Sequence, residues 1–275
     1  MGLWDVERRD DGIVVAAYTN PPMNYLVGEG VEELAALVPG WRDPAVRAVI
    51  LTGGPADQYL THYSVEELAA LAGDRDTMRG LGTDVNDGYH ALVQDVSDLE
   101  KPVIAAMSGD TMGGGLELSL GCDIRIAKRG DFSIGFPEVA LGIIPGGGGT
   151  QRLPRIIGPG PALDFILRSR IVSPEQALAL GLVSELADDP RARALEIAGN
   201  LARQSPAALA AVKRSVLRGS SLPLGEGLRI EADAFLATML TDEAVAAMED
   251  YVATPFAERR AWARSRATSV PGDPS

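Results

Sequence analysis

Two glutamates carry the chemistry that this sequence offers. Glu117 lies in GGGLELSLG and Glu138 in FPEVALG, each among residues that are otherwise apolar or small. A helix built only to pack would place Leu or Ala at position 117, because a carboxylate among apolar neighbours is costly unless paired or put to use. Glycine runs bracket the pair, Gly113–Gly115 just ahead of Glu117 and Gly146–Gly149 just after Glu138. Glycine serves where backbone must approach something closely or adopt a positive φ. Free N–H groups at a helix start, with the helix dipole behind them, suit a developing oxyanion. Taken singly, each glutamate also fits a helix-start charge or a salt bridge. Together, beside backbone donors, they point to proton transfer on a substrate whose oxygen becomes negative. The run Gly113–Gly115, directly preceding a helix, reads as the oxyanion-bearing start, and Gly146–Gly149 mainly as shaping the turn after Glu138.

Other chemistries are excluded by the same residues. A phosphate-binding P-loop requires lysine where GIIPGGGGT has Gly148, and a dinucleotide fingerprint requires glycine where Leu118 and Gln151 stand. The lone Cys122 follows an apolar run with no histidine near in sequence and reads as a small core residue. His62 and His90 are the only histidines, and no CxxC or HExxH pattern occurs, so no metal site is expected. A formal net charge of −13 argues against nucleic acid and anionic membranes as partners, and leaves any anionic ligand to local dipoles and a few basic side chains. The N-terminus has no apolar signal core and no apolar run reaches membrane length, so a cytoplasmic protein is expected.

The elements that must position the glutamates follow from periodicity. Residues 12–19, 45–54 and 102–109 are β-branched or continuous apolar runs and predict buried strands. Helical spacing predicts a helix over 28–37, ended by Pro39-Gly40, and another from Ser64, where Ser64 with Glu67 fits a capping box. Residues 74–99 predict one long amphipathic helix weakened by three glycines. Glu117 falls on a short apolar helix over 116–121, and strands are expected over 123–128 and 131–136. Helices follow over 161–170, over the Ser173 to Gly181 stretch with Ser173 and Gln176 as capping box, over 191–203 and 206–218, and as one long helix over 226–252. The tail from Gly272 is expected to fray.

KPVIAAMSGDTMGGGLELSLGCDIRIA followed by FPEVALGIIPGGGGTQRLPRIIG resembles the enoyl-CoA hydratase/isomerase (crotonase) superfamily. The resemblance extends over nearly the whole chain, through NPPMN, LTGGPADQYLTHYSVEEL, ALDFILRSRIVSPEQALALGLVSEL and TDEAVAAM. It implies an α/β fold of the crotonase type, a spiral of repeated ββα units. Residues 1–204 would form the core with the active site, and 205–275 a helical region used for oligomerisation, as a homotrimer or a dimer of trimers. It implies an acyl-CoA substrate and no cofactor beyond the coenzyme A that the substrate carries. Glu117 and Glu138 match both catalytic glutamates of the hydratases, Glu117 activating water for attack on Cβ and Glu138 supplying the proton to Cα. Backbone N–H groups of Tyr63 and Gly114 match the oxyanion donors. Met23, Asn24, Thr61, His62 and Tyr63 fall at substrate and CoA-binding positions. The sequence departs from the family pattern in carrying His62 where glycine is usual and Ser64 where aspartate is usual. The glutamates are 21 residues apart, one more than in a typical hydratase, and the extra residue is placed in the KRGD turn. EDYVATP lacks the basic segment that many relatives carry; Arg259, Arg260, Arg264 or Arg266 could substitute for it, but they read first as a solvated helix face. The activity implied is 2-enoyl-CoA hydration, with enoyl-CoA isomerisation, another enolate-forming reaction or a non-catalytic acyl-CoA-binding role as alternatives.

Overall fold

Three of the predicted strands are buried at every position, and a strand apolar on both faces must be covered on both. The computed structural model, which describes residues 2–267, puts them at the centre of a six-stranded sheet. The core elements run β1 (Trp4–Arg8), β2 (Ile13–Tyr18), α1 (Gly28–Leu37), β3 (Ala48–Gly53), α2 (Val65–Gly73), α3 (Arg75–Leu81), α4 (Asp87–Ser97), β4 (Val103–Met107), β5 (Thr111–Met112), α5 (Gly113–Leu120), β6 (Ile124–Lys128) and β7 (Ile134–Gly135). After them come α6 (Gly149–Ile157), α7 (Pro159–Leu167), β8 (Ile171–Val172), α8 (Pro174–Ala179), β9 (Glu185–Ala187), α9 (Pro190–Ala202), α10 (Pro206–Gly219), α11 (Leu224–Met239), α12 (Asp242–Ala253) and α13 (Arg259–Arg266). The large sheet has the order β1-β2-β3-β4-β6-β9, parallel except for β1, and β5-β7-β8 form a second, small sheet.

The period of two along each strand divides the core. Val14, Ala16, Val49, Leu51, Val103 and Ala105 face the cluster that holds α1, α4 and α5. Ile13, Val15, Ala48, Ile50, Ile104 and Ala106 face the other way, where α9 covers them with Ala194, Ile197 and Ala198. A strand in the large sheet, a short strand in the small sheet and then a helix occur as β4-β5-α5 and again as β6-β7-α6. This is the expected ββα spiral.

Four elements differ from the sequence expectation. The predicted helix over 74–99 is two helices and a 3-10 segment, because Gly82 takes φ 59 and ends α3. The predicted helix over 226–252 breaks at Leu240, and Thr241 restarts it by accepting the Ala244 N–H on its hydroxyl. The strand over 131–136 shrinks to Ile134–Gly135, paired with Thr111 and Met112 on one side and β8 on the other. β1 was not expected: WDVER buries only Trp4, whose indole N–H donates to the Gly30 carbonyl, and its charges suit a sheet edge. Of the two capping boxes, the one at Ser173 closes fully. At Ser64 the hydroxyl accepts the Glu67 N–H, but the Glu67 carboxylate turns instead to Gly28 N–H and the Tyr63 hydroxyl. Cys122 is buried, with its thiol against the Leu118 carbonyl.

In α10 to α13 only Ala211 and Ala234 are buried. Lys213 ties α10 to the core, pairing with Asp123 at 2.8 Å and donating to the Lys101 carbonyl. Leu224, Phe235, Leu236, Leu240 and Phe256 are all more than half exposed. Arg259 and Arg266 pack over the Tyr251 and Trp262 rings, within the same helical end. The stretch from Gly272 lies outside the described residues.

Candidate active site

The short strand β5 runs straight into α5, so the helix begins at Gly113, three residues earlier than the apolar pattern indicates. Gly113 takes φ 49, and a Cβ there would come within 2.8 Å of Glu138 Oε1. Gly114 is the second residue of α5, where the helix itself offers its N–H no acceptor. A Cβ on Gly114 would meet Tyr63 Cβ at 2.8 Å and Tyr63 N at 3.5 Å. Both positions therefore exclude any side chain, one by conformation and contact, the other by contact alone.

Tyr63 reaches this point through a single bridge to Leu26, in which the His62 carbonyl accepts from Leu26 and the Ser64 N–H donates to it. That pairing consumes the peptide groups on either side of Tyr63 and turns its own N–H away from Leu26. Among the described residues the Tyr63 N–H donates to nothing. Two free backbone donors, from Tyr63 and Gly114, thus lie side by side although the residues are 51 apart in sequence. The bulk at 62 and 63 points outward from them. His62 stacks on Tyr25 with ring centroids 4.1 Å apart, and the Tyr63 hydroxyl donates to Glu67, which also accepts from Gly28 N–H. Burial pushes the Tyr63 phenol above its ordinary range, and the Glu67 carboxylate adds to the effect.

Glu117, one turn into α5, is buried, and its Oε1 accepts N–H groups from Gly147 and Gly149 at 2.7 Å each. Burial raises its carboxyl, while these donors, and His90 less strongly, pull it back toward ionisation. The glycines at 147 and 149 are required by contact. A Cβ on Gly147 would sit 2.6 Å from Glu117 Oε2, and one on Gly149 would sit 2.8 Å from the Phe136 ring and 3.0 Å from Oε1. The second glycine run therefore does more than shape a turn: it holds the first glutamate.

Glu138 starts the 3-10 turn after Pro137 and is also buried, but its Oε2 has no hydrogen-bond partner. Burial pushes its carboxyl up to about 7, with the nearby Glu117 charge contributing. The two carboxyls are thus held differently: one is fixed by two backbone donors, the other is unpartnered and divided between its acid and base forms near neutrality. Between β6 and β7 the chain turns through Lys128–Asp131 with Gly130 at φ 129, and the β5-β7 pairing sets the register before Glu138 is reached.

Of the remaining candidates, Met23 and Asn24 lie on the loop before α1 and Thr61 on the segment between β3 and α2. Thr61 donates its hydroxyl to the Met23 carbonyl at 2.6 Å, and its own carbonyl accepts from Met112 N–H, joining that loop to the small sheet. Met23 is half exposed. Asn24 is fully buried at φ 57, its amide donating to the Tyr18 and Tyr59 carbonyls and accepting from Asn20 N–H. Its side chain is committed to the loop and presents no free group to a ligand. Three further residues at the site have no signal in the sequence read alone: Gly147 and Gly149 as donors, and Tyr89, whose hydroxyl donates to the Gly114 carbonyl. Tyr89 was visible only as an apolar position of an amphipathic helix.

Known proteins share this sequence pattern and fold. The family model described as enoyl-CoA hydratase/isomerase matches residues 8–263. An enoyl-CoA hydratase structure from Bacillus anthracis superposes with a TM-score of 0.83 at 29% identity, over 98% of this chain and all of that one. The DspI structure from Pseudomonas aeruginosa superposes with a TM-score of 0.83 at 28% identity, over 92% of this chain and 94% of that one. The fatty acid oxidation complex subunit alpha of Shewanella sp. strain W3-18-1 is 37% identical over 61% of this chain, and the chain spans only 24% of that relative's length. On the match across 8–263 and the fold it shares with those structures, the chain belongs to the enoyl-CoA hydratase/isomerase family.

Proposed function

We propose that this protein is a 2-enoyl-CoA hydratase. The observation that carries the reading is the unequal treatment of two buried carboxyls beside two free backbone donors. In the forward direction Glu117, held by Gly147 and Gly149, takes a proton from water. The water oxygen bonds to Cβ of the enoyl thioester, and the electron pair of the double bond moves through Cα toward the thioester oxygen. The Tyr63 and Gly114 N–H groups receive that oxygen as an enolate, each donor contributing roughly 2.7–4 kcal/mol. Glu138, whose carboxyl stays protonated to about 7, then gives its proton to Cα. Positioned proton transfer of this kind contributes about 10²–10⁴-fold. The proton taken by Glu117 and the one given by Glu138 balance, so one water is added and the pair is reset by proton exchange with solvent.

The likeness to fatty acid oxidation complex subunits supports a fatty enoyl thioester as substrate. Half-exposed Met23, on the loop tied down by Thr61, and the His62-Tyr63 segment are where the CoA arm would lie against the chain. The apolar side chains exposed on α11 and α12 support assembly through the helical end, as a trimer or a pair of trimers. The test is spectrophotometric: the conjugated enoyl absorbance of crotonyl-CoA and longer homologues should fall on adding enzyme, and Glu117→Gln and Glu138→Gln should each abolish the fall. Conversion of a 3-enoyl thioester without any hydration across chain lengths would reassign the protein to isomerisation.

A further inference from the structure

Gly146 and Gly147 share one peptide unit. Its N–H donates to Glu117 Oε1 at 2.7 Å, and its carbonyl, on the other side, meets His90 Nε2 at 2.7 Å. A carbonyl can only accept, so Nε2 carries the proton in this bond and Nδ1 is the nitrogen left free. Hydrogen bonds at the two ends of an amide polarise each other, strengthening by roughly 10–30% per bond. An exposed histidine on an amphipathic helix ordinarily faces water. Here its N–H is spent on one of the two peptides that serve the buried glutamate.

The placement on α4 is specific. Tyr89 and His90 are consecutive, and they hold the two glycine segments in turn: the Tyr89 hydroxyl donates to Gly114 at the start of α5, and His90 to Gly146. We propose that His90 is a positioning residue for Glu117, acting through the Gly146–Gly147 peptide to fix the carboxylate's orientation and to strengthen the hydrogen bond it receives. The ring touches no reacting atom. The inference rests on the reading of Glu117 as the base and names what tunes it.

Other charges lie around the imidazole. Asp87 precedes it by one turn on α4. The ring opens onto a cleft of about 770 Å³ whose wall also carries Asp98, Arg152 and Arg155 of α6, and Arg218 of α10. Glu117 faces it across the shared peptide. The imidazole charge itself also pulls Glu117 toward ionisation, so the decisive comparison is between two uncharged variants that differ in whether position 90 donates. His90→Ala removes the donor at an exposed helical site without a propensity penalty. His90→Gln keeps an N–H donor and cannot titrate in the relevant range.

The experiment is a pH titration of the full chain with ¹³C-carboxyl glutamate followed by NMR, with Glu117 assigned by the resonance lost in Glu117→Gln. In His90→Ala the Glu117 midpoint is expected to rise by about 0.3–0.7 pH unit, because the carboxylate form loses a strengthened donor and the pull of the imidazole. His90→Gln should recover at least half of that rise. A rise below about 0.3 unit in His90→Ala, or a rise in His90→Gln equal to that in His90→Ala, overturns the proposal. The titration needs no turnover. Failure of the wild type to hydrate any enoyl-CoA would therefore refute the proposed reaction and leave this proposal to be decided by the midpoints.

Discussion

Glu138→Gln separates the two consequences of holding a carboxyl in a dry, unpartnered place. The substitution keeps shape and removes the titrating group. In the folded chain Glu138 is 8% exposed, its Oε2 finds no donor, and its carboxyl is pushed from an ordinary 4.5 up to about 7. At about 1.36 kcal/mol per pH unit this corresponds to a destabilisation on the order of 3 kcal/mol once the group is ionised in both states. The sign follows from proton counting. Below 4.5 the group is protonated folded and unfolded, and contributes nothing. As pH rises from 4.5 to 7 the unfolded chain releases the proton while the folded chain retains it, so stability falls; above 7 the full cost is present.

The variant should therefore gain stability over wild type by about 2–3 kcal/mol at pH 8, with the gain shrinking to near zero at pH 4.5. Hydration should fall by about 10²–10⁴-fold below pH 7, and by less above it, where the wild type also loses the acid. Urea unfolding of both proteins at half-unit steps from pH 4.5 to 8 gives the difference directly, since other titrating groups cancel between them. A stability difference that is flat across this window would show that Glu138 is not held as an expensive acid. In that case the argument for Glu138 as proton donor would fail, however inactive the variant proved.

Three other perturbations reach different parts of the structure. Gly147→Ala places a methyl 2.6 Å from Glu117 Oε2 and into the Tyr89 ring, so it should lower activity by at least about 100-fold and stability by about 1–3 kcal/mol; near-normal kcat would mean the clamp can move aside. Lys213→Ala breaks the largely buried pair with Asp123 and should cost about 2–4 kcal/mol at pH 7. The loss should be smaller near pH 4, because burial already raises the Asp123 carboxyl and protonation removes its need for a partner; limited proteolysis should then cut first between α9 and α10. Phe235→Glu with Leu240→Glu charges two side chains that are 64% and 76% exposed, and should convert the proposed trimer to monomer in sedimentation. An unchanged mass would refute assembly through this face of the helical end.

Much of this site is legible in the sequence because its parts are defined by what a side chain cannot be. Glycine at 113, 114 and 115 and a glutamate in an apolar helix leave few structural explanations, and the resemblance adds Tyr63 through a register of neighbouring residues. The buried strands were equally plain, since continuous apolar runs have few alternatives. What was not legible is which backbone donor meets which carboxylate. Gly147 and Gly149 lie 30 and 32 residues from Glu117, and nothing local to GGGGT says that two of its N–H groups turn back on an earlier helix. His90 and Tyr89 were hidden for a related reason: on a helical wheel they read as solvent and core, and their partners are backbone carbonyls, which carry no residue type. The helix breaks at Gly82 and Leu240 were missed because apolar periodicity continues through them. At Gly82 it is a positive φ that decides, and at Leu240 the Thr241 cap.

The cross-bracing of successive repeats sets where the chain between its two glutamates can vary in length and where it cannot. The β4-β5-α5 unit delivers Glu117, the β6-β7 unit delivers Glu138, and the glycine run that follows closes back on Glu117. Each carboxylate is thus positioned partly by the other's repeat. The KRGD turn lies upstream of the Thr111-Ile134 and Met112-Gly135 pairing, so whatever slack it contains is cancelled when β7 takes its register on β5. Downstream of that pairing there is no such reset. From Gly135 to Gly149 the chain must place Glu138 against Gly113, turn back through Gly142 at φ 76, and present two N–H groups to Oε1. The sheet tolerates length variation before it registers the chain and not after, so the fourteen residues from Phe136 to Gly149 must place both Glu138 and the two donors to Glu117 without slack.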